Sequence, residues 1–227
     1  MRVHQQVAHK SKKVRSCRRC GTEIQPGQRY YWFKHRHQGK TYFCMLHRPR
    51  PQDMTLSDKL ARLYEEQDNI TSAIDTVNGV DLSEITWEGG DQPEVEDDDD
   101  GESQGLHDEW QEEKDAYGET CEDLESALDE LASALETAAE TATDVADEYT
   151  TSADNIEEHF SSSPVADDCH SKAEQCEEWQ GELESAQSDV ESAKGDIDKD
   201  DPTGTTLADI VSTAVDSAEA ARDALQI

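Results

Sequence analysis

The stretch SCRRCGTEIQPGQRYYWFKHRHQGKTYFCMLHRP, residues 16–49, decides how the N-terminal part of this chain folds. Cys17 and Cys20 form one CxxC pair. Cys44 and His47 follow with the same two-residue spacer. Tetrahedral Zn²⁺ prefers thiolates and imidazoles, and this spacer lets both members of a pair reach one ion. Because roughly 35 residues cannot fold on an apolar core alone, metal binding would supply the folding free energy. We therefore predict a structural Zn²⁺ site at these four side chains.

Two β-strands are expected between the ligand pairs. The sequence QPGQ at 25–28 is a turn signal, and RYYWFK at 29–34 has high β-propensity. A second strand, KTYF at 40–43, follows the loop at 35–39. Gly21 allows the backbone geometry of a metal knuckle. The order is then a knuckle, a hairpin and a second ligand pair.

Charge divides the chain into two parts. Residues 1–50 carry 13 Lys and Arg against one acidic residue, and residues 51–227 carry seven basic and 53 acidic residues. The local balances are therefore +12 and −46 within a net charge of −34. Residues 1–15 mix Gln, His, Lys and Arg without an apolar period, so we expect a flexible basic arm there.

Helical periodicity begins after the metal-binding stretch. A first helix is expected from Thr55, which offers a capping box with Asp58, to Asn78 and Gly79, docked on the zinc module or on a second copy of itself. After an acidic, turn-rich linker, three more helices are expected, the first two forming an antiparallel hairpin. Their apolar positions are Tyr117, Cys121, Leu124, Leu128, Leu131, Leu135, Ala138, Ala142, Val145, Tyr149, Ser152 and Ile156, then Cys169, Cys176, Trp179, Leu183, Ala186, Val190, Ala193 and Ile197, then Leu207, Val211, Ala214, Ala218, Ala221 and Leu225.

Local signals mark where the later helices begin. Ser163 is a good N-cap residue, and Pro164 suits the first turn of a helix. Thr206 and Asp209 form a similar start for the last helix. The breaks before them predict short connections between packed helices.

The acidity has two interpretations. A pI near 4.3 with 54 Asp and Glu is similar to the composition of proteins from extreme halophiles, where carboxylates keep surfaces hydrated in concentrated salt. The alternative is an acidic surface that mimics DNA or binds a partner. We expect salt adaptation, because like-charged helix faces are usually just solvated.

Cysteine usage and hydropathy indicate the compartment. Cys121, Cys169 and Cys176 are odd in number and scattered, unlike a secreted disulfide framework. Residues 1–15 lack the apolar core of a signal peptide, and no run of about 18 apolar residues exists. We expect a protein of the host cytoplasm that does not enter membranes.

The sequence offers little for catalysis. A closed four-ligand site leaves no water on the metal to activate, and no Walker loop, dinucleotide fingerprint, nucleophile elbow or HExxH motif is present. A second metal site at Cys169, His170 and Cys176 is conceivable, but the cysteines suit the helix seam. His35 and His37, rivals of His47 as ligands, fall in the hairpin loop. We expect a protein without enzymatic activity.

Cations and rings around the metal motif predict nucleic-acid contact. Cations can neutralise phosphates, and exposed rings can stack on bases. Strand side chains alternate faces, so part of the rings must instead fill a small core. The predicted contact residues are Lys12, Lys13, Arg15, Arg18, Arg19, Arg29, Trp32, Lys34, Arg36 and Lys40.

The motif also resembles a known family. CRRCGTEIQPGQRYYWF, followed by a strand and CMLH, is similar to treble-clef zinc fingers of the poly(ADP-ribose) polymerase type, over residues 14–64. That resemblance implies binding to DNA ends or to proteins. The family closes its site with His then Cys, whereas this chain has Cys44 then His47. The whole chain is similar to uncharacterised zinc-finger proteins of tailed viruses.

These observations predict a fold class and a function. We expect a small zinc-bound α+β module, treble-clef-like, followed by an all-α region of long antiparallel coiled-coil-like helices. The segments are an arm at 1–15, the zinc-finger module with its helix at 16–85, an acidic linker at 86–105 and an acidic helical hairpin or bundle at 106–227. The leading hypothesis is a viral zinc-finger protein that contacts nucleic acid, DNA favoured, or a partner, with acidic helices for self-association or interaction. The alternative is an adaptor whose finger docks protein only.

Overall fold

The structure is a computed structural model of the chain. It describes residues 4–8, 15–34, 40–49, 58–83, 85, 87, 89–90, 93, 102–159, 163–200, 202 and 206–227. The chain divides into two compact units, Met1–Glu65 and Glu66–Ile227.

A three-stranded antiparallel sheet forms the N-terminal unit. Its strands are β1 (His4–Val7), β2 (Arg29–Lys34) and β3 (Lys40–Cys44), in the order β1-β2-β3. Tyr31 pairs with Gln5 on one side and with Phe43 on the other. The two predicted strands are confirmed, with β3 one residue longer.

Strand β1 replaces part of the flexible arm predicted at 1–15, and residues 1–3 and 9–14 of that arm lie outside the described residues. His4–Val7 pairs antiparallel with β2. The pattern HQQV has no apolar period, because both faces of β1 are solvated and backbone hydrogen bonds hold the strand. Two side-chain contacts add to this pairing: His4 stacks on Trp32 with ring centroids 4.5 Å apart, and the Tyr30 hydroxyl donates to Gln6 Oε1 at 3.2 Å.

The sheet has a small apolar core on each face. Alternation along β2 places Tyr30 with Ala8 and Ile24 on one face. Phe33 lies with Phe43 and Cys17 on the other, and the two phenyl rings are 5.8 Å apart. Aromatic side chains therefore contribute to the packing on both faces of the sheet.

The predicted turn before β2 is also confirmed. Gly27 has a φ of 90°, and the Gln28 amide donates to the Gln25 carbonyl at 3.1 Å. Pro26 followed by a glycine with positive φ is the arrangement of a type II turn. The turn leads directly into β2.

Four helices make up most of the remaining described residues. They are α1 (Asp58–Asn78), α2 (Glu102–His159), α3 (Pro164–Gly195) and α4 (Leu207–Asp223). At a rise of about 1.5 Å per residue, α2 is about 87 Å long. The predicted start of the first helix at Thr55 lies outside the described residues, and its end at Asn78 is confirmed. None of the described helices combines the length and apolarity that a membrane span needs.

Contacts between α2 and α3 show an antiparallel hairpin. Near its loop, His170 Nε2 lies 3.3 Å from Glu157 Oε1. At its far end, the Tyr117 hydroxyl donates to the Asp198 carbonyl at 3.0 Å. The α4 helix packs along this hairpin, since Trp179 Nε1 donates to the Ala221 carbonyl at 2.8 Å.

Most positions of the predicted apolar seams are buried in the structure. In α2 every predicted position from Tyr117 to Tyr149 is buried, but then Ala153 is buried in place of Ser152. In α4 the stripe passes through Ile210, and Val211 is only half-buried. These two differences arise because 3.6 residues per turn drift away from a strict 3.5-residue repeat. Four further predicted positions, near the ends of the seams, are half-buried: Ile156, Cys169, Ile197 and Leu225.

Caps occur where the sequence predicts them. The Ser163 hydroxyl accepts from the Val165 amide, and Pro164 begins α3. The Thr206 hydroxyl accepts from the Asp209 amide at 3.2 Å. Each cap satisfies an amide that the first helical turn leaves without an intrahelical partner.

The boundary between the two compact units lies within α1, at Glu65, and most of the predicted linker at 86–105 lies outside the described residues. The α2 helix begins at Glu102, and Trp87 is buried, with its ring centroid 5.1 Å from that of Tyr117. Part of α1 also belongs to the helical unit, since Gln67 Nε2 donates to the Arg222 carbonyl and Thr141 Oγ1 donates to Glu66 Oε1. The predicted docking of α1 on the zinc module or on a second copy stays a prediction. Around Trp87 and Tyr117, the burial of aromatic and apolar side chains outweighs the acidic composition of the segment.

The cations of the helical unit are all engaged with carboxylates. Its five basic residues each form an ion pair: Lys114 with Asp200, Lys172 with Asp168, Lys194 with Asp129, Lys199 with Glu122 and Glu125, and Arg222 with Glu219 and Asp223. Exposed pairs contribute about 0–1 kcal/mol each, so the large excess of carboxylates is left to solvent and counterions.

We predict that Leu135→Ala destabilises the helical unit by about 2–5 kcal/mol, the usual result of truncating a leucine in a packed core. Leu135 is fully buried in the α2 seam. Urea unfolding followed by circular dichroism would measure the change. The neighbouring exposed residue supplies a control, since Glu136→Ala should change stability by less than about 0.5 kcal/mol.

We also predict that salt stabilises the helices. At about 0.1 M salt the Debye length is about 10 Å, so carboxylates on neighbouring helices repel one another, whereas at about 1 M it is about 3 Å. The thermal midpoint of the helical signal should therefore rise steeply with KCl. A midpoint that does not change with salt would exclude salt adaptation and favour an acidic binding surface.

Candidate metal centre

A tight turn positions the first ligand pair. The Ser16–Glu23 bridge brings both sides of the turn together, and the Gly21 amide donates to the Cys17 carbonyl at 2.9 Å. Gly21 has a φ of 70°, which a side chain would disfavour. The turn therefore holds the backbone of Cys17 and Cys20 in one fixed loop.

The end of β3 positions the second pair. Cys44 is the last residue of that strand, and the His47 amide donates back to the Cys44 carbonyl at 3.1 Å. A further bond joins the two regions, because the Arg18 amide donates to the Tyr42 carbonyl at 2.9 Å. The hydrogen-bonded sheet edge therefore brings the two ligand-bearing loops together.

All four ligand atoms lie within 4.8 Å of one another. Cys20 Sγ is 3.9 Å from Cys44 Sγ, and His47 Nδ1 is 3.2 Å from Cys44 Sγ and 3.7 Å from Cys17 Sγ. Two sulfurs that are each about 2.3 Å from one tetrahedral ion would be about 3.8 Å apart. The spacing and the donor set thus fit one tetrahedral ion, and this Cys3His group could hold a metal.

The four ligands differ in exposure. Cys17 is 1% exposed and packs with Phe33 and Phe43, whereas Cys20 is exposed. Cys44 and His47 are half-buried. The centre therefore rests on the apolar face of the sheet and opens to solvent on the side of Cys20.

The surroundings of Cys20 and Cys44 displace the pKa values of these two ligand thiols. Hydrogen bonds from the Thr22 hydroxyl and amide lower the pKa of Cys20 to about 6, and the hydroxyl oxygen lies 3.2 Å from the sulfur. Burial raises the pKa of the Cys44 thiol. Metal coordination requires both as thiolates, so a bound cation would offset the cost of ionising Cys44.

The predicted nucleic-acid residues fall in three groups. Arg18, Arg19, Arg29, Lys34 and Lys40 are exposed. Arg15 is half-buried, with its guanidinium 5.6 Å from the Tyr30 ring centroid and 5.5 Å from that of Tyr42. Lys12, Lys13 and Arg36 lie outside the described residues, as do the loop histidines His35 and His37.

Trp32 is already in contact with two side chains. His4 stacks on its ring with an interplanar angle of 16°, and Lys40 Nζ is 3.8 Å from the ring centroid. Both contacts involve the ring that a stacked base would use. The sequence did not indicate His4 as a partner, because it lay in the segment predicted to be an unstructured arm.

Sequence reasoning also missed Thr22. Its hydroxyl and amide both contact the Cys20 sulfur. The signal was present, since a hydroxyl residue two positions after a thiolate ligand can bond back to it. Such outer contacts orient ligands and tune the charge on sulfur.

The second predicted cluster does not form as a metal group. Cys176 is buried in the α3 seam and Cys169 is half-buried. Instead, His170 approaches Glu157 and Asp154, and these three ligand atoms lie within 4.8 Å of one another on the surface. The seam explanation for Cys176 is confirmed.

Comparison with known proteins found no match among protein-family models, curated proteins or solved structures.

Cysteine reactivity provides a test of the metal centre. In metal-loaded protein we predict that Cys169 is alkylated by iodoacetamide, while the metal thiolates and the buried Cys121 and Cys176 are protected. A chelator should then expose Cys17, Cys20 and Cys44, leaving Cys121 and Cys176 protected in the helical core. Mass spectrometry of the digested protein would measure each site, and a chelator-independent pattern would contradict a bound metal.

Proposed function

We propose that this chain is a zinc-binding protein whose basic N-terminal unit contacts DNA. The observation that carries the proposal is the Cys3His group set beside exposed cations, among them Arg18 and Arg19 between two of the ligands. Three thiolates with one imidazole favour Zn²⁺ over harder cations, and filling all four positions favours a structural role.

A treble-clef-like arrangement is supported by element order. A knuckle at Cys17–Cys20 precedes the β2–β3 hairpin, and the second ligand pair follows directly after β3. The next described element is a helix, α1. This order agrees with the resemblance to zinc fingers of the poly(ADP-ribose) polymerase type. The similarity to tailed-virus proteins stays a prediction.

Charge supports nucleic acid as the partner. Residues 1–50 have a balance of +12, and the predicted contact residues that the structure describes lie on both loops and strands of the sheet. Phosphate neutralisation by Lys and Arg releases counterions and needs no deep pocket. The closed ligand set favours binding over catalysis, so we propose no enzymatic activity.

The helical unit is proposed as the association or partner-binding part. Its hairpin and α4 form a core of their own, and its surface is strongly acidic. We propose that this acidity adapts a cytoplasmic protein to high salt. In that setting the N-terminal unit must bind DNA despite screening, which favours several phosphate contacts.

The adaptor alternative has its own support. Leu46 is 90% exposed between two ligands, and an exposed apolar side chain on a metal loop suits protein contact as well. An adaptor would not bind DNA even at low salt. Binding measurements therefore separate the two hypotheses.

We predict measurable DNA binding by the full, zinc-loaded chain at low salt. Fluorescence anisotropy with a labelled duplex, repeated over a series of KCl concentrations, gives the slope of log K against log salt. Arg18→Ala with Arg29→Ala should weaken binding and reduce the magnitude of that slope by about 2, because each phosphate contact contributes about 0.9.

Lys172→Ala is the matched control for this experiment. Lys172 is a cation of the helical unit paired with Asp168 at 3.0 Å, so its loss should leave the slope unchanged. Absence of DNA binding at low salt, with zinc bound, would reject the proposed function and leave the adaptor.

A further inference from the structure

The three metal-binding thiols are unequal in access to solvent. Cys20 is exposed at the tip of the first ligand turn, whereas Cys17 is 1% exposed beneath the sheet. Cys17 packs against Phe33 and Phe43, whose side chains are fully buried. A dissolved electrophile therefore meets the Cys20 sulfur first.

A second sulfur lies within reach of Cys20. Cys44 Sγ is 3.9 Å away, and this residue is half-buried at the end of β3, close to the loop that carries Met45 and Leu46. A disulfide requires the sulfurs to approach to about 2.05 Å. Oxidation of Cys20 would end its bond to the ion and allow that approach from the solvent side. The Cys17 sulfur also lies within 4.8 Å of the Cys20 sulfur, but Cys17 packs against Phe33 and Phe43 and is far less accessible.

We infer that Cys20 is a peroxide-oxidation site and that Cys44 is its resolving cysteine, so that a Cys20–Cys44 disulfide replaces the metal. The inference rests on the zinc centre proposed above. It adds a modification site to that centre and a redox control over DNA binding.

The chemistry balances with hydrogen peroxide as the oxidant. The Cys20 thiolate attacks one peroxide oxygen, the O–O bond breaks, and hydroxide leaves, which forms a sulfenic acid. The Cys44 thiolate then attacks the Cys20 sulfur, the S–O bond breaks, and a second hydroxide leaves. Two thiolates lose two electrons, the peroxide gains them, and two protons convert the hydroxides to water. The disulfide would leave Cys17 and His47 as the remaining ligands of the group, which are too few to hold an ion tightly.

The effect should be confined to the N-terminal unit. Its two apolar clusters are small, and the Arg18–Tyr42 bond near the ligands connects the knuckle to β3. The helical unit has a separate core in α2, α3 and α4. Oxidation should thus abolish DNA binding and leave the helices folded.

The natural sequence makes the product easy to identify. Trypsin cleaves after Arg15, Arg18, Arg19 and Lys40, so Cys17, Cys20 and Cys44 fall on three different peptides. The relevant peptides are 16–18, 20–29 and 41–59, since the Arg-Pro bonds at 48 and 50 resist cleavage. A disulfide between any two cysteines therefore gives a distinct cross-linked mass.

The experiment starts with the full chain, reduced and loaded with zinc, whose metal content is measured first. Hydrogen peroxide is added, released zinc is followed with a chromogenic chelator, and samples are digested without reductant. We expect loss of the bound ion together with a main cross-link between peptides 20–29 and 41–59, reversed by dithiothreitol and fresh zinc. Circular dichroism at 222 nm should retain the helical signal.

Cys169→Ser is the matched control. Cys169 is half-buried on α3 in the other unit, so its removal should leave the rate of zinc release unchanged. A main cross-link that contains peptide 16–18, release without any cross-link, or release that depends on Cys169 would overturn the inference. Protein that contains no zinc before peroxide is added would instead reject the proposed metal centre.

Discussion

The convergence of three sulfurs and one imidazole nitrogen is the constraint on which the N-terminal unit depends. Its apolar clusters involve only a few side chains, such as Phe33 and Phe43 beside Cys17. So small a core contributes little free energy at about 25 cal/mol per Å² of buried apolar area. A metal ion held by the Cys3His group would contribute much more, because its binding free energy would be part of the folding free energy of this unit. The strand pairing, the Gly21 turn and the Thr22 contacts all serve to bring the same four atoms together.

The helical unit is stabilised by a different kind of interaction. A continuous apolar seam in α2 packs against α3, and α4 joins them through Ile210 and the Trp179–Ala221 hydrogen bond. The seam is narrow and rich in alanine, so the helices can approach closely, while the carboxylates lie outside it. Stability there is a balance between apolar burial and like-charge repulsion, and ionic strength shifts that balance. One chain thus combines two units that respond to different conditions.

Much of this fold could be predicted from local chemistry. The ligand spacing, the aromatic run of β2 and the cap at Ser163 are each decided by residues close in sequence, and each is observed. The seam of α2 follows from periodicity alone until Ala153 replaces Ser152. What could not be predicted depends on distant partners. His4–Val7 is polar and becomes a strand because β2 offers a free edge, and Trp87 is buried because Trp110 and Tyr117 lie beside it.

The same limit applies to the site. Four residues could be assigned as ligands because tetrahedral coordination restricts the types and spacing of the side chains that can bind. The unequal exposure of Cys17 and Cys20 could not be predicted, because it depends on the sheet packed behind them. Nucleic-acid contacts are less restricted, since any exposed cation can meet a phosphate. Trp32 illustrates the difference: composition suggests a stacking platform, and the tertiary structure supplies His4 and Lys40 as its neighbours.

The length of α2 has a consequence for whatever the protein assembles with. Its 58 residues form one uninterrupted rod of about 87 Å. A partner bound near Glu102 and another bound near His159 would be separated by a distance several times the width of a DNA duplex. The helix would act as a molecular spacer whose length is set by residue count, and removing whole turns would shorten the separation in steps of about 5.4 Å.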